Sequence, residues 1–208
     1  VRRQRQMCIR DRNGIRIEQT AFVPVDDNCE IHRIKVTNTS GGSKNINLFS
    51  FVEFCLWNAQ DDMLNYQRNL NTGEVEIDGN TIYHKTEYRE RRNHYAFYSV
   101  NTQISGFDTD RDTFLGAFNG LDNPDSVING SSGNSVASGW YPIASHRIDI
   151  SLNAGESCEY IFVLGYIENE NDEKFESLNV INKTKAKKMI ARYESSAQCD
   201  AELDKLKS

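Results

Sequence analysis

Residues 31–57 read IHRIKVTNTSGGSKNINLFSFVEFCLW, and this stretch decides the fold. Residues 31–36 mix apolar and charged side chains in the short alternation typical of a strand with one buried face. The Thr, Asn, Ser and Gly cluster at 37–43 predicts a turn. The apolar, aromatic-rich run 46–57 predicts a long strand, so the two runs are interpreted as a β-hairpin.

The same signals continue on both sides of this stretch. Residues 15–23 predict a strand, and residues 74–77 and 81–84 flank Asp78-Gly79-Asn80, a hairpin signal. Further strands are predicted at 95–100, 113–118, 147–152 and 159–166, with a long surface loop at 119–138. The sequence therefore predicts a mainly β protein: one large antiparallel β-sandwich over residues 13–168.

The pattern changes near Asn169. Ala186, Met189, Ile190 and Tyr193 recur at helical spacing and predict one apolar helix face, with a start near residues 182–184 and an end near Arg192. Residues 169–208 are interpreted as the start of an α-helical linker, cut before a further domain.

The first twelve residues, VRRQRQMCIRDR, have no periodicity and are rich in arginine. Residues 5–12 can be back-translated as AGACAG followed by ATGTGTATAAGAGACAG, which resembles a transposon mosaic-end adapter. We interpret residues 1–12 as a sequencing-adapter artefact, or alternatively as a disordered basic tail. Neither interpretation gives them a place in the fold.

Composition excludes several classes of function. The net charge of -6 argues against a nucleic-acid partner, which requires clustered positive charge. No apolar run approaches the length of about 20 residues that a membrane span needs, and no secretory signal is visible, so a cytoplasmic location is expected. The five cysteines lack C-x-x-C spacing and predict reduced thiols, and the scattered histidines do not predict zinc.

Four motifs in order carry a family resemblance: VEFCLWNAQDDMLNYQRNL at 52–70, GEVEIDGNTIYHKTEYRERRNHYAFYSV at 73–100, GFDTDRDTFLG at 106–116 and GWYPIASHRIDISLNAGE at 139–156. Together they resemble the N-terminal sandwich domain of the cellobiose-phosphorylase family, glycoside hydrolase family 94. The resemblance covers residues 14–208 and implies a supersandwich of the galactose-mutarotase-like type.

The resemblance also implies the chemistry of a longer parent enzyme. Such enzymes add an (α/α)₆ barrel and a small C-terminal sheet, act as homodimers and need no cofactor. They cleave a β-linked disaccharide with inversion: a carboxylic acid protonates the leaving oxygen, and inorganic phosphate attacks to give α-glucose 1-phosphate and glucose. The family's acid lies on the barrel, so this chain is expected to contain no catalytic residue and to be inactive alone.

Tyr66, Gln67 and Arg68 are the first candidates for substrate or interface contacts. In the family, this part of the sandwich approaches the active site of the neighbouring subunit, and amide, guanidinium and aromatic groups suit sugar hydroxyls and ring faces. The alternative is a loop that packs against its own domain. Trp140 is a further candidate for an exposed sugar platform, whereas Trp57 lies in an apolar strand and is predicted to be core.

Arg89, Arg91 and Arg92 lie in a dense charged stretch. Arginine forks match oxyanions, so this stretch is interpreted as a subunit-docking patch or, less favoured, a phosphate site. The alternative is an exposed charged turn.

Acidic residues do not predict a metal or a catalytic pair. The stretch from Asp108 to Asp112 lacks the glycine and distal Glu of a calcium loop, so Asp108 and Asp110 are interpreted as turn and salt-bridge residues. Asp61 and Asp62 are adjacent and would point apart on an extended chain.

Three functions follow from these observations. The first is a non-catalytic domain of a disaccharide phosphorylase that supports dimerisation and closes part of the sugar site. The second is a free-standing carbohydrate-binding β-sandwich. The third is a small hydrolase, which would need two carboxylates roughly 5–10 Å apart.

Overall fold

The computed structural model describes residues 5–54, 73–85, 93–139 and 142–206. The strands of this part are β1 (Arg5–Arg12), β2 (Ile15–Phe22), β3 (Cys29–Asn38), β4 (Lys44–Phe49), β5 (Val52–Glu53), β6 (Gly73–Asp78), β7 (Thr81–His84), β8 (His94–Val100), β9 (Gly106–Asp110), β10 (Ser138–Gly139), β11 (Pro142–Leu152), β12 (Ser157–Glu168), β13 (Phe175–Ser177) and β14 (Val180–Ile181). The helices are α1 (Arg111–Leu115), α2 (Asp125–Asn129), α3 (Thr184–Ala191) and α4 (Ser196–Lys205).

Eight strands form a large sheet in the order β1-β2-β3-β12-β8-β7-β6-β10. Its described pairings are antiparallel. The two faces of β3 contribute to two separate cores. Ile31 is fully buried in one core, and Val36, on the opposite face, is fully buried in the other. Both faces of the centre of this sheet are therefore covered, which agrees with the predicted mainly β sandwich.

A smaller sheet covers one of these faces. The long strand β11 pairs with β9 on one side and with β4 and β5 on the other. Phe49 stands opposite Arg147 and Val52 opposite Ala144, so β4 and β5 keep one register despite the break at Ser50 and Phe51. The predicted strand from Ile46 is thus continuous in its pairing as far as Glu53.

The predicted hairpin around Gly41-Gly42 is wrong. β3 pairs with β2 and β12 in the large sheet, whereas β4 pairs with β11 in the small one, so the loop crosses between sheets. The physical reason is Asn38, which is fully buried and whose amide donates to the carbonyls of Leu152 and Asn153, each at 3.1 Å. This amide ties the crossover to the turn where β11 returns to the large sheet.

A second correction concerns residues 113–118, predicted as a strand. Here the chain forms α1, because the carboxylate of Asp110 accepts from the backbone N–H of Thr113 at 2.7 Å and caps the helix. The Asp78-Gly79 hairpin is confirmed, since β6 and β7 pair directly. The predicted loop at 119–138 contains the short helix α2.

The helices after Asn169 cover the second face of the large sheet. Ala186, Met189 and Tyr193 are buried on α3 and just beyond it, which confirms the predicted apolar face. They share one core with Phe97 of β8 and Cys199 of α4. The predicted short helical end is therefore confirmed, and its helices pack against the large sheet.

Residues 5–12 were interpreted from the sequence as an artefact or a disordered tail, whereas the structure gives them a regular strand. They form β1, paired along its whole length with β2 through a turn at Asn13 and Gly14, both of which have positive φ. The described side chains of β1 are all exposed, and those of Met7 and Ile9 are 67% and 56% accessible. This segment extends the sheet edge without adding to either core.

Candidate functional site

The sequence-predicted site residues lie outside the described part of the chain. Tyr66, Gln67 and Arg68 belong to segment 55–72, and Arg89, Arg91 and Arg92 belong to segment 86–92. Trp140 lies in the two-residue gap at 140–141. Trp57, Asp61 and Asp62 also fall in segment 55–72. The residues that flank these segments are described, and they carry the geometry below.

The flanking residues of the three segments converge at one end of the sandwich, which we call the loop end. Phe54, where segment 55–72 begins, stacks on His84 of β7 with ring centroids 4.9 Å apart. The backbone N–H of Phe54 also donates to the carbonyl of Pro142, which follows Trp140 and Tyr141, at 3.5 Å. Phe54, just before segment 55–72, therefore contacts His84, close to the start of segment 86–92, and Pro142, directly after segment 140–141.

Three further flanking residues belong to the same cluster. Gly73, where segment 55–72 ends, pairs with Gly139, which precedes Trp140. Lys85, just before segment 86–92, donates its backbone N–H to the carbonyl of Glu74 at 3.0 Å. A Cβ on Gly73 would lie 2.5 Å from Cγ of Pro142, so glycine permits this close approach. The fold therefore brings together residues that flank the three segments carrying the predicted site residues.

A second feature is a cavity of about 330 Å³ that runs beneath the edge of the small sheet, which we call the edge groove. Its wall is the consecutive stretch 48–52, and its floor is the large sheet, including Ile17, Ile34 and Leu164. At one side of the floor the amide of Gln19 lies 2.9 Å from Nδ1 of His32. Nε2 of His32 lies 2.9 Å from Glu30.

A histidine lies in the core beside this groove. His146 of β11 is fully buried and stacks on Tyr98 at 5.1 Å, and Nδ1 lies 3.3 Å from Oγ of Ser50. Burial lowers the pKa of His146 to about 3, and burial is the sole cause of the shift. A serine–histidine pair of this kind is a poor catalytic dyad, because the lowered pKa makes the ring a weak base.

The comparisons with known proteins agree with this architecture. The supersandwich domain of glycosyl hydrolase 94 matches residues 3–196. The chain belongs to this family. It is 31% identical over 164 residues to an N,N'-diacetylchitobiose phosphorylase of Vibrio proteolyticus, covering 74% of this chain and 20% of the relative.

Two other relatives are also phosphorylases. An N,N'-diacetylchitobiose phosphorylase of Vibrio furnissii is 25% identical over 193 residues, covering 92% of this chain and 22% of the relative. A solabiose phosphorylase of Paenibacillus borealis is 27% identical over 149 residues, covering 71% and 19%. The chain spans about a fifth of the length of these relatives.

The most deeply buried carboxylate among the described residues of the family 94 domain has a structural role. Asp108 is fully buried and accepts hydrogen bonds from the backbone N–H groups of Gly133 and Ser135 at 3.1 and 3.2 Å. It also accepts from the hydroxyl of Ser135 at 2.8 Å. Asp108 thus fixes the loop after α2, and Asp110 caps α1. Both were interpreted as turn and salt-bridge residues, but they lie on β9 and act here through hydrogen bonds.

Other partly buried carboxylates are paired across layers. Glu76 of β6 binds Lys183 at the start of α3 and accepts from the backbone N–H of Ile181 at 3.1 Å. Glu159 of β12 binds Arg33 of the neighbouring strand β3 at 2.8 Å and accepts a hydrogen bond from the hydroxyl of Ser196 on α4. These acids stabilise the contact between sheet and helices, so they are poor candidates for a general acid.

The described residues contain no cluster of His, Cys, Asp and Glu that could hold a metal ion. None of the helices among them is long and apolar enough to cross a membrane. Cys8, Cys29, Cys158 and Cys199 are free, and Cys29 and Cys199 are buried. Burial raises the pKa of the Cys199 thiol to about 11, so this thiol is unreactive.

Sequence reasoning did not predict the edge groove. In the sequence, the residues of its floor have the alternating pattern of ordinary core positions. Such a pattern predicts which residues are buried, but it does not predict the width of the small sheet that covers them.

Proposed function

We propose that this chain is the non-catalytic supersandwich domain of an inverting disaccharide phosphorylase. Family membership over residues 3–196 carries the proposal. The pairing of its buried acids supports it, because Asp108, Glu76 and Glu159 are held by structural partners. The general acid of the reaction then belongs to a part of the enzyme outside these 208 residues.

The loop end is the proposed functional surface. Convergence of its flanking residues supports a joint role for Tyr66, Gln67, Arg68 and Trp140 in closing part of a sugar site. Arg89, Arg91 and Arg92 are proposed to dock the partner subunit of a homodimer. Arginine forks suit carboxylates on a partner surface, and amide groups suit sugar hydroxyls.

The proposed substrate is a β-linked disaccharide, with inorganic phosphate as the nucleophile. Cellobiose is the disaccharide that the sequence resemblance favours. The names of the relatives add N,N'-diacetylchitobiose and solabiose as candidates for the parent enzyme. We propose that the parent enzyme is a cytoplasmic protein that needs no cofactor.

The test begins with the complete reading frame around this chain. Its product is assayed with phosphate and each of the three disaccharides for release of a sugar 1-phosphate, beside the 208-residue chain alone. We expect activity from the complete protein and none from the chain. Activity of the chain alone would overturn the non-catalytic role, and an inactive complete protein would overturn the phosphorylase assignment.

Variants of the complete protein test the loop end. Arg68→Ala is expected to raise KM for the disaccharide at least about tenfold, since a charge-assisted hydrogen bond contributes about 1.5–3 kcal/mol. Arg16→Ala is the matched control, because Arg16 is exposed on β2 and pairs with Asp11 at 2.9 Å. Equal KM values for the two variants would remove Arg68 from the site.

A further inference from the structure

We propose that the edge groove holds one additional β-strand of the same polypeptide, supplied by a segment outside these 208 residues. This strand would pair with β4 and widen the small sheet. The proposal goes beyond the proposed function and rests on it only in assuming a longer polypeptide. It concerns how the sandwich is completed.

The backbone of β4 and β5 gives the first argument. The backbone N–H of Ser50 donates to the carbonyl of His146 at 3.0 Å, and that of Phe54 donates to Pro142 at 3.5 Å. Backbone groups of an antiparallel strand alternate between its two neighbours. Even-numbered residues here therefore bond β11, and the N–H and C=O groups of Asn47, Phe49 and Phe51 face the opposite side.

That opposite side carries no strand in the part of the chain that the structure describes, where β4 is an edge. The rings of Phe49 and Phe51 do not cover it, because both pack against Phe114 on the outer face, at 6.4 and 5.2 Å. A row of unpaired backbone groups is a template for strand addition.

The floor of the groove gives the second argument. Ile34, Leu48 and Leu164 are only partly buried, although they belong to the core between the sheets. The described large sheet has eight strands, whereas the described small one has four, of which β4 and β5 share one position beside β11. Apolar side chains left at such a margin gain stability when a further layer removes them from water.

The floor also defines the chemistry of the occupant. An extended segment that pairs with β4 directs every second side chain downward. Apolar side chains suit the positions over Ile17, Ile34 and Leu164, and one hydrogen-bonding side chain suits the position over Gln19 and His32. The expected segment therefore alternates apolar and polar residues, with one polar residue on its inward face.

A segment of the same polypeptide fits better than a second copy of β4. In a second copy, Ile46 and Leu48 already pack against that copy's own large sheet, so its β4 cannot enter this groove. Relatives of the family continue well beyond the matched region, which is only about a fifth of their length. Such proteins have polypeptide available to supply the strand.

Hydrogen exchange tests the proposal directly. Exchange of the amides of Asn47, Phe49 and Phe51 is compared between the 208-residue chain and the product of the complete reading frame. The amides of Ile46 and Leu48, which bond β11, are the matched controls. We expect the three edge amides to exchange at least about 100-fold more slowly in the complete protein, with the controls protected in both.

Each other outcome overturns the proposal. Edge amides that exchange equally fast in both proteins show an empty groove. Protection in the short chain that rises with its concentration assigns the groove to a second copy. Protection that requires added cellobiose assigns it to a sugar, and a locus that encodes only these 208 residues leaves no segment to fill it. Phosphorolysis is assayed on the same sample, so an active protein with unprotected edge amides rejects this inference and leaves the proposed function standing.

Discussion

At the scale of single residues, His146 illustrates the cost of burying a titratable ring. The native ring stays neutral, because its pKa is lowered to about 3 from an ordinary value of 6.5. Between pH 6.5 and 3, the His146 ring is therefore protonated in the unfolded chain and neutral in the folded chain. Folded stability is unaffected above pH 6.5 and falls between pH 6.5 and 3 by about 1.4 kcal/mol per pH unit.

The variant His146→Gln isolates this effect. Relative to the wild-type chain, its free energy of unfolding should improve by about 3 kcal/mol between pH 6.5 and 4.5. Urea denaturation at both pH values measures the difference, and the other histidines cancel because both proteins carry them. Parallel pH profiles would show that the ring is not held neutral in the folded chain.

Gly73 is the residue on which the loop end depends. Gly73→Ala places a Cβ 2.5 Å from Pro142 and 2.8 Å from the carbonyl oxygen of Gly139. We expect a loss of about 1–3 kcal/mol in the free energy of unfolding, since the crowding involves backbone and a rigid ring. Gly41→Ala is the control, because nothing lies within 4 Å of its added Cβ. Equal stability of the two variants would mean that the flanking residues are not in close contact.

At the scale of elements, β1 makes a specific prediction. Deleting residues 1–12 removes an eight-residue strand whose described side chains are all exposed. The expected loss is about 1 kcal/mol, or a drop of about 2–4 °C in the melting temperature, because no core residue is removed. Calorimetry of the shortened chain checks this, and failure to fold would show that β1 is needed to hold β2.

Sequencing of the source locus addresses the origin of the same segment. A locus that encodes the same first twelve residues removes the adapter interpretation, and a locus with different codons there supports it. The pairing of β1 with β2 does not depend on which outcome is found, since the pairing is a property of this chain.

The strands and helices also show which parts of the fold sequence patterns can predict. Alternation located most strands, because the buried face of a half-covered strand repeats every two residues. The Asp78-Gly79 hairpin was predictable because its turn residues act locally. The crossover after Asn38 was not, since it depends on hydrogen bonds to Leu152 and Asn153, far away in the chain. Helix α1 was missed because the cap at Asp110 overrode a strand-like run of apolar residues.

The same distinction applies to the candidate site. The residue types that suit sugars and anions were recognisable in the sequence, whereas the meeting of Phe54, His84 and Pro142 was not. Three contacts between distant parts of the chain create the loop end, and no short pattern encodes them. The edge groove is a further example, because it depends on the relative width of two sheets.

At the scale of the whole molecule, the exposed apolar side chains in and before α2 predict behaviour in solution. Phe118 is fully exposed, and Leu121 and Ile128 are more than half exposed. These residues should make the isolated chain self-associate. Light scattering during size exclusion measures this. Phe118→Lys should reduce association more than Ile9→Lys, on exposed β1, and a monodisperse wild-type chain would contradict the prediction.

The loop end has a practical consequence for protein engineering. Most of the residues at which its three segments begin and end contact one another, and Asn93 is held by backbone and side-chain hydrogen bonds to Asn169, so each segment has fixed attachment points. The three segments can be exchanged together between relatives. The junctions of such chimaeras would lie at Phe54, Gly73, Lys85, Asn93, Gly139 and Pro142. Such chimaeras should keep the melting behaviour of the recipient sandwich while they take on the partner or sugar preference of the donor.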